Sequence, residues 1–222
     1  MPKNKSSQEI EIKLRVADIE LLCRRLKQLH ARQVVPRTFE VNILYDTLEQ
    51  SLRHGGKLIR IRFENECRSK RSSRSAGPNS AILTFKGPAP SPRGPRTSAA
   101  RPIQRSRFKI RKEIEVTVND GAQLAEILQG LGLRPSFRYE KFRTTYVLAG
   151  IEDLKLELDE TPIGLFLELE GSERSIDCAA KLLGYARSDY VIQTYGALFI
   201  AHCRIRRRKP RNMVFPTTKK LR

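Results

Sequence analysis

The chain has 222 residues, with 43 Lys and Arg against 24 Asp and Glu, a formal net charge of +19, 39% apolar residues and no Trp. That length gives one domain, or two small ones. No apolar run is long enough for a membrane-spanning helix, and the polar start MPKNKSSQEIEIK lacks the apolar stretch of a secretion signal.

The charge is unevenly spread. Residues 67–112 hold thirteen basic side chains and no acid, and residues 190–222 hold nine and no acid, while the rest of the chain carries 21 basic against 24 acidic residues. Cys23, Cys67, Cys178 and Cys203 are scattered without a CxxC pair. They read as reduced thiols of a cytoplasmic protein and not as a zinc site or a disulfide frame.

In chain order, the first element is a strand in which Glu9, Glu11, Lys13 and Arg15 alternate with Ile10, Ile12, Leu14 and Val16. Helical spacing follows over Asp18–Ala31, with Ile19, Leu22, Leu26 and Leu29 on one stripe. A strand is predicted at Phe39–Tyr45, a hairpin turn at Gly55-Gly56, and a strand at Leu58–Phe63, where Arg60 and Arg62 face away from Ile59, Ile61 and Phe63. Residues 67–80 and 87–106, dense in Gly, Pro, Ser and Arg, cannot bury enough apolar area to offset the entropy of ordering. They read as mobile loops around a short strand at Ala81–Lys86.

The longest alternation runs over Arg107–Val118 and sets Arg107, Lys109, Arg111, Glu113, Glu115 and Thr117 against Phe108, Ile110, Ile114, Val116 and Val118; Lys112 breaks it. Asp120 caps a predicted helix carrying Leu124, Ile127, Leu128 and Leu131 that Gly132 ends. Strands follow at Lys141–Thr145, Thr144–Leu148, Leu154–Asp159 and Leu165–Glu170, then helices at Ser172–Leu183 and Ser188–Ala201. The order is that of an α+β chain with an antiparallel sheet. The domain is expected to span 1–203. Residues 204–222, containing RIRRRKPRN, are expected to form a basic disordered tail that either stays solvated or gives weak non-specific nucleic-acid contact, together with the basic loops.

Strands charged on one face admit a solvated sheet or sandwich, or a barrel whose charged faces line a wet, charge-compensated interior. The candidate lining is balanced: Lys13, Arg60, Arg62, Lys86, Arg111, Lys141 and Arg143 against Glu9, Glu11, Glu113, Glu115, Asp159, Glu168 and Glu170. Like charges two residues apart repel, so each pair wants a counter-ion or ligand. Paired carboxylates are hard oxygen ligands suited to Mg²⁺ or Mn²⁺ and poor for zinc. Clustered Arg and Lys suit a polyphosphate. For each acidic pair taken alone, cross-strand salt bridges remain the simpler reading, and agreement across strands favours a metal–triphosphate complex. His30, His54 and His202 are isolated, and GxxxxGK[ST], GxGxxG and GxSxG are absent.

The motifs Glu9-Ile10-Glu11-Ile12-Lys13, Leu44-Tyr45-Asp46-Thr47, Gly56 to Arg62, Leu83 to Pro88, Arg111 to Glu115, Glu140 to Arg143, and Leu158 to Glu160 followed by Gly164 to Gly171 occur in that order. This series resembles the CYTH superfamily, the triphosphate tunnel metalloenzymes, which include class IV adenylyl cyclases and thiamine triphosphatases. The resemblance spans roughly residues 8–200 and implies a closed antiparallel eight-stranded β-barrel with helices outside. It implies that Glu9, Glu11, Asp159, Glu168 and Glu170 hold Mg²⁺ or Mn²⁺. Lys13, Arg60, Arg62, Lys86, Arg111, Lys141 and Arg143 would hold the triphosphate, and Glu113 and Glu115 would bind metal or orient the basic side chains. Glu11 and Lys13 are the catalytic candidates, Lys13 as a proton acceptor if neighbouring cations lower its pKa. The implied activity is class IV cyclase-like, ATP to cyclic AMP and pyrophosphate. A triphosphatase acting on thiamine, nucleoside or inorganic triphosphate, and a non-catalytic polyphosphate- or RNA-binding module, are the alternatives. The expected partner is a triphosphate small molecule, with no membrane, and a homodimer is left open.

Overall fold

Alternation of charged and apolar residues persists through eight strands, and in a computed structural model, which describes residues 8–66, 79–88 and 107–216, these strands close on themselves. They are β1 (Gln8–Val16), β2 (Arg32–Asp46), β3 (Leu58–Glu66), β4 (Ala81–Lys86), β5 (Lys109–Val118), β6 (Arg134–Leu148), β7 (Ile151–Thr161) and β8 (Gly164–Glu170). All neighbours run antiparallel, in the order β1-β5-β4-β3-β2-β6-β7-β8 and back to β1. The barrel, not the open sheet or sandwich, is the architecture.

The inward faces are ionic: Glu11, Lys13, Arg60, Lys86, Lys141 and Glu168 are all buried. The apolar faces point outward, so the barrel needs a second layer to remove them from water. Helices α1 (Ile19–Gln28) and α4 (Glu173–Leu182) supply it over β1, β7 and β8, where Leu22, Leu26, Ile176 and Ala179 pack on Ile12, Leu14, Leu156 and Leu167. On the other side α3 (Gly121–Gly130) sets Leu124 and Leu128 against Ile61, Phe63 and Ala81.

The helix ends follow local chemistry. Asp18 and Asp120 accept hydrogen bonds from the first-turn amides of α1 and α3 at 2.8–3.0 Å. Gly132, at φ +82°, ends α3 as expected, a conformation that costs glycine nothing. Part of each expected apolar stripe lies outside the core: Ile19, Ile127 and Leu131 are exposed.

Several boundaries differ from expectation. The two predicted strands around Lys141–Leu148 are one fifteen-residue strand, β6. The turn at Gly55-Gly56 follows a short helix, α2 (Ser51–His54), held by Asp46, whose carboxylate accepts from the amides of Leu52 and Arg53. The helix expected at Ser188–Ala201 is a 3-10 turn at Arg187–Asp189, an extended stretch in which Val191 pairs with Lys13, and then α5 (Tyr195–Ile205). Thr194 caps α5 by accepting from the Ala197 amide. Most of the expected loops at 67–80 and 87–106, and residues 217–222 of the expected tail, lie outside the described residues.

The chain after Arg204 departs furthest from the expected disordered tail. Helix α5 continues to Ile205, and the following segment lies against β6: the Met213 amide donates to the Arg138 carbonyl (3.0 Å) and the Glu140 amide to the Met213 carbonyl (2.9 Å). Strand β7 pairs with β6 only from Phe142 onward, so Met213 covers the edge that β7 leaves open, and its side chain is fully buried among Tyr139, Phe166, Tyr195 and Leu198. Met213→Ala should therefore lower the unfolding free energy by about 2–5 kcal/mol, read as a lower urea midpoint at unchanged slope. A change within roughly 0.5 kcal/mol, the surface-substitution range, would show that the segment does not pack on the barrel.

Candidate active site

Inward-pointing side chains of all eight strands enclose a cavity of about 220 Å³, lined by nine basic and seven acidic residues, with β2 adding only Leu44. Register decides which charges meet. Antiparallel pairing sets Glu11 opposite Glu170 and Lys13 opposite Glu168 across β1 and β8, and Glu9 opposite Arg111 and Glu11 opposite Lys109 across β1 and β5. Carboxylates therefore concentrate where β8, β1 and β5 adjoin, while β3 and β6 bring Arg60, Arg62, Lys141 and Arg143 to the far wall.

The charges are cross-linked. Lys13 Nζ bridges Glu11 (3.1 Å) and Glu168 (3.0 Å), and Lys86 Nζ bridges Glu9 (2.7 Å) and Glu113 (3.2 Å). Arg143 grips both oxygens of Asp159 at 2.6 Å and reaches Glu168 at 2.5 Å and also Glu157. Arg60 donates to Tyr139 (3.1 Å), Thr84 (3.0 Å) and Glu115 (3.2 Å), while its Nε is buried without a partner among the described residues. Behind the lining, Glu40 lies 3.4 Å from Lys141 and 3.9 Å from Arg62 and Arg143.

These contacts divide the carboxylates. Burial raises every one, and neighbours then decide the direction. Glu9 is pushed up to about 8 by burial and by Glu11 and Glu113, against the pull of Lys86. Glu157 is pushed up to about 7 by burial, with Glu168 and Asp159 adding and Arg143 opposing. For Glu11 burial is overcome by Lys13, Lys109 and Lys86, and for Glu168 by Lys13 and Arg143, so both are held well below the usual carboxylate range. Glu40, through Lys141, Arg143 and Arg62, is lowered to about 2 despite its burial.

Of the residues singled out in the sequence, all line this cavity except Asp159. Asp159 is fully buried behind the wall, with its oxygens taken by Lys141 (3.0 Å), Arg143 and the Tyr195 hydroxyl (2.6 Å). Arg111 is partly committed to backbone, its Nε donating to the Gly87 carbonyl at 2.8 Å. The condition set for Lys13 as a proton acceptor fails. Burial lowers its pKa, but Glu11 and Glu168 outweigh burial and raise it, so the ammonium is retained. The bore lysine whose pKa is lowered is Lys109, by burial and by Lys13 and Lys86 against Glu11.

Lys109, Lys155, Glu157, Tyr139 and Tyr195 also line the cavity and were not assigned to it from sequence. Lys109, Lys155 and Glu157 stand in alternations already visible on β5 and β7. Glu40 stands in another, since Thr38, Glu40 and Asn42 alternate with Phe39, Val41 and Ile43. Tyr195 enters through α5, whose N-terminal residues Thr194 and Gly196 join Leu44, Leu58 and Phe137 as a less charged part of the lining.

The donor set fits a hard divalent cation. Among the described residues no three His, Cys, Asp or Glu side chains form a ready-made ligand group. Magnesium, however, commonly takes one or two protein carboxylates and completes its shell with phosphate oxygens and water. Glu9 and Glu11 on β1 and Glu170 on β8 offer such oxygens, and burial, with Glu11 and Glu113 adding, raises Glu9 against the pull of Lys86, a shift that a bound cation would reverse. Asp159, saturated by protein donors, does not fit that role.

Glu40 gives a stability test. Its carboxylate is more acidic folded than its ordinary 4.5, so it stabilises the fold above pH 4.5 and that contribution is lost as pH falls through about 2. Glu40→Gln should cost about 3 kcal/mol at pH 7, with the gap to wild type closing toward pH 2 in urea titrations. A gap constant with pH would place the effect in packing, not in charge.

Comparison with known proteins agrees with this geometry. The CYTH domain family matches residues 7–194. The Methanocaldococcus jannaschii protein named "Putative adenylate cyclase MJ0240" is 27% identical over 176 residues, covering 79% of this chain and 83% of that one. Among solved structures, PH1819 from Pyrococcus horikoshii superposes with a TM-score of 0.64 at 20% identity, covering 87% of this chain and 99% of that one. Hippeastrum HpAC1 does so with 0.54 at 18%, covering 87% and 96%. A family match over most of the chain, on a barrel whose ionic faces turn inward, places this protein in the CYTH domain family.

Proposed function

We propose that this protein is a metal-dependent enzyme that holds an organic triphosphate in the barrel and cyclises it, ATP giving cyclic AMP and pyrophosphate. The observation that carries the reading is the division of the bore into a carboxylate-rich wall, Glu9, Glu11 and Glu170, and a basic wall, Arg60, Arg62, Lys141 and Arg143, across one cavity. A triphosphate is the small ligand that needs both, because its charge must be met by cations on every side. Arg60, Arg62, Lys86, Lys141 and Arg143 grip the phosphate oxygens, the arginines by forked donation and the lysines as point charges. Lys13, kept cationic between Glu11 and Glu168, neutralises charge and does not take a proton; Lys109 is the better placed acceptor. A bound Mg²⁺ or Mn²⁺ on the carboxylate wall would screen phosphate charge and activate the nucleophile. Leu44, Leu58 and Phe137 give the organic portion an apolar surface that inorganic triphosphate would leave unused. The name carried by the M. jannaschii relative supports the cyclase direction.

Hydrolysis is the second reading. The same walls would serve a water attacking the γ-phosphorus, and the HpAC1 structure is described as revealing a dominant triphosphatase activity. Incubation with ATP and with inorganic triphosphate, plus Mg²⁺ or Mn²⁺, separates the two: cyclic AMP with pyrophosphate supports cyclisation, and orthophosphate supports hydrolysis. Tight binding without turnover would leave a non-catalytic polyphosphate module. Glu11→Ala and Glu170→Ala should each lower turnover at least a hundredfold, about 3 kcal/mol of barrier. Full rate in both would remove the metal assignment.

A further inference from the structure

The tunnel uses none of the charge at the far end of α5. Arg204, Arg206, Arg207, Arg208, Lys209 and Arg211 place six cations within eight residues, all exposed. None of their side chains pairs with a carboxylate among the described residues, and the chain has no acid after Asp189. Arg15 of β1 joins them around His202, whose imidazole is pushed down by burial and by Arg206, Arg208 and Arg15. The carbonyl end of α5 favours a cation in its last turn, but only by about 0.3–1 kcal/mol at the surface. Six like charges within eight consecutive residues repel one another, with salt screening the repulsion over a Debye length of about 10 Å.

The backbone nevertheless fixes them. Arg207 sits at φ +53°, with its amide on the Arg204 carbonyl (3.1 Å) and the Arg208 amide on the Cys203 carbonyl (2.8 Å). A non-glycine residue in the left-handed region costs roughly 1–2 kcal/mol. Downstream, the Asn212 side chain accepts from the Arg138 amide (2.9 Å), Met213 is buried against Tyr139, and Phe215 packs on Phe142. A repelling cluster held by a strained turn on one side and a buried anchor on the other is a preformed surface for something that carries the opposite charge in series.

We propose that residues 204–211, pinned between α5 and β6, are a docking surface for the phosphate backbone of double-stranded nucleic acid, separate from the tunnel. Five of the six cations are arginine, whose fork matches phosphate oxygens. No aromatic side chain lies among residues 204–212 on which unpaired bases could stack, which argues for a duplex over a single strand. Ile205 is the one large apolar residue exposed among them, too little for insertion into a bilayer. None of residues 204–211 lines the bore: α5 reaches it with its N-terminus, and its C-terminal end, where the cations begin, lies roughly 16 Å further along the helix at 1.5 Å per residue.

The test is anisotropy of a labelled duplex of about 20 base pairs, titrated with the full chain between 50 and 200 mM salt. Six contacts give a slope of log K against log salt near about −5, a loss of roughly a thousandfold over that range. The triple variant R206A/R208A/R211A should bring the slope to about −3. The matching R206K/R208K/R211K variant should keep the wild-type slope, showing that charge and not a folding defect is responsible. An unchanged slope in the alanine variant would overturn the proposal by assigning the duplex to other basic residues. Tighter binding to phosphatidylserine vesicles than to the duplex would assign the surface to membranes and overturn it as well.

Discussion

Everything in this protein depends on cross-strand compensation of charge inside a closed barrel. An isolated carboxylate or ammonium taken out of water costs several kcal/mol even after relaxation. The nine cations and seven acids lining the bore are tolerable because register sets opposite signs in contact: Lys13 between Glu11 and Glu168, Lys86 between Glu9 and Glu113, Arg143 among Glu157, Asp159 and Glu168. A one-residue slip in any strand would turn its charges outward and its leucines into the bore, so the ion pairs help to fix register.

The same constraint inverts the usual placement of the hydrophobic core. With the interior committed to charge, the apolar faces of the strands look outward, and the core forms between barrel and helices. Ile12, Leu14, Leu156, Leu167 and Leu169, fully buried, meet α1 and α4 there. Stability and function occupy opposite faces of the same strands. A substitution on the helix side acts on folding through packing, and one on the charged side acts through the charge balance, which extends to Glu40 behind the lining.

Much of this was legible in the sequence because strand periodicity separates the two faces residue by residue. The alternations on β1, β3, β5 and β8 name Glu9, Glu11, Lys13, Arg60, Arg62, Arg111, Glu168 and Glu170, all of which reach the cavity. Periodicity could not say which face is inside, because closure is a property of all eight strands together. It could not show that Asp159 is roofed over by Tyr195, since that hydroxyl comes from a helix 36 residues further on. Composition hides the docking of residues 206–216: six cations around a proline look like a solvated tail, and the buried contact that docks the segment is the single side chain of Met213.

The acids that the resemblance groups as one metal set differ physically. Asp159 and Glu168 are already engaged by Lys141, Arg143, Lys13 and Tyr195, so they fix the orientation of the basic wall before any ligand arrives. Glu9 differs: burial first, and then repulsion from Glu11 and Glu113, drive its carboxyl up to about 8, while Lys86 is shared between it and Glu113. A cation bound beside Glu9 would relieve that repulsion, whereas one placed at Asp159 would have to displace two bonded cations and a hydroxyl. The bore is thus preorganised at the β6–β7–β8 side and electrostatically incomplete at the β1–β5 side. That asymmetry fits the proposed joint binding of a cation and a phosphate chain better than the binding of either alone.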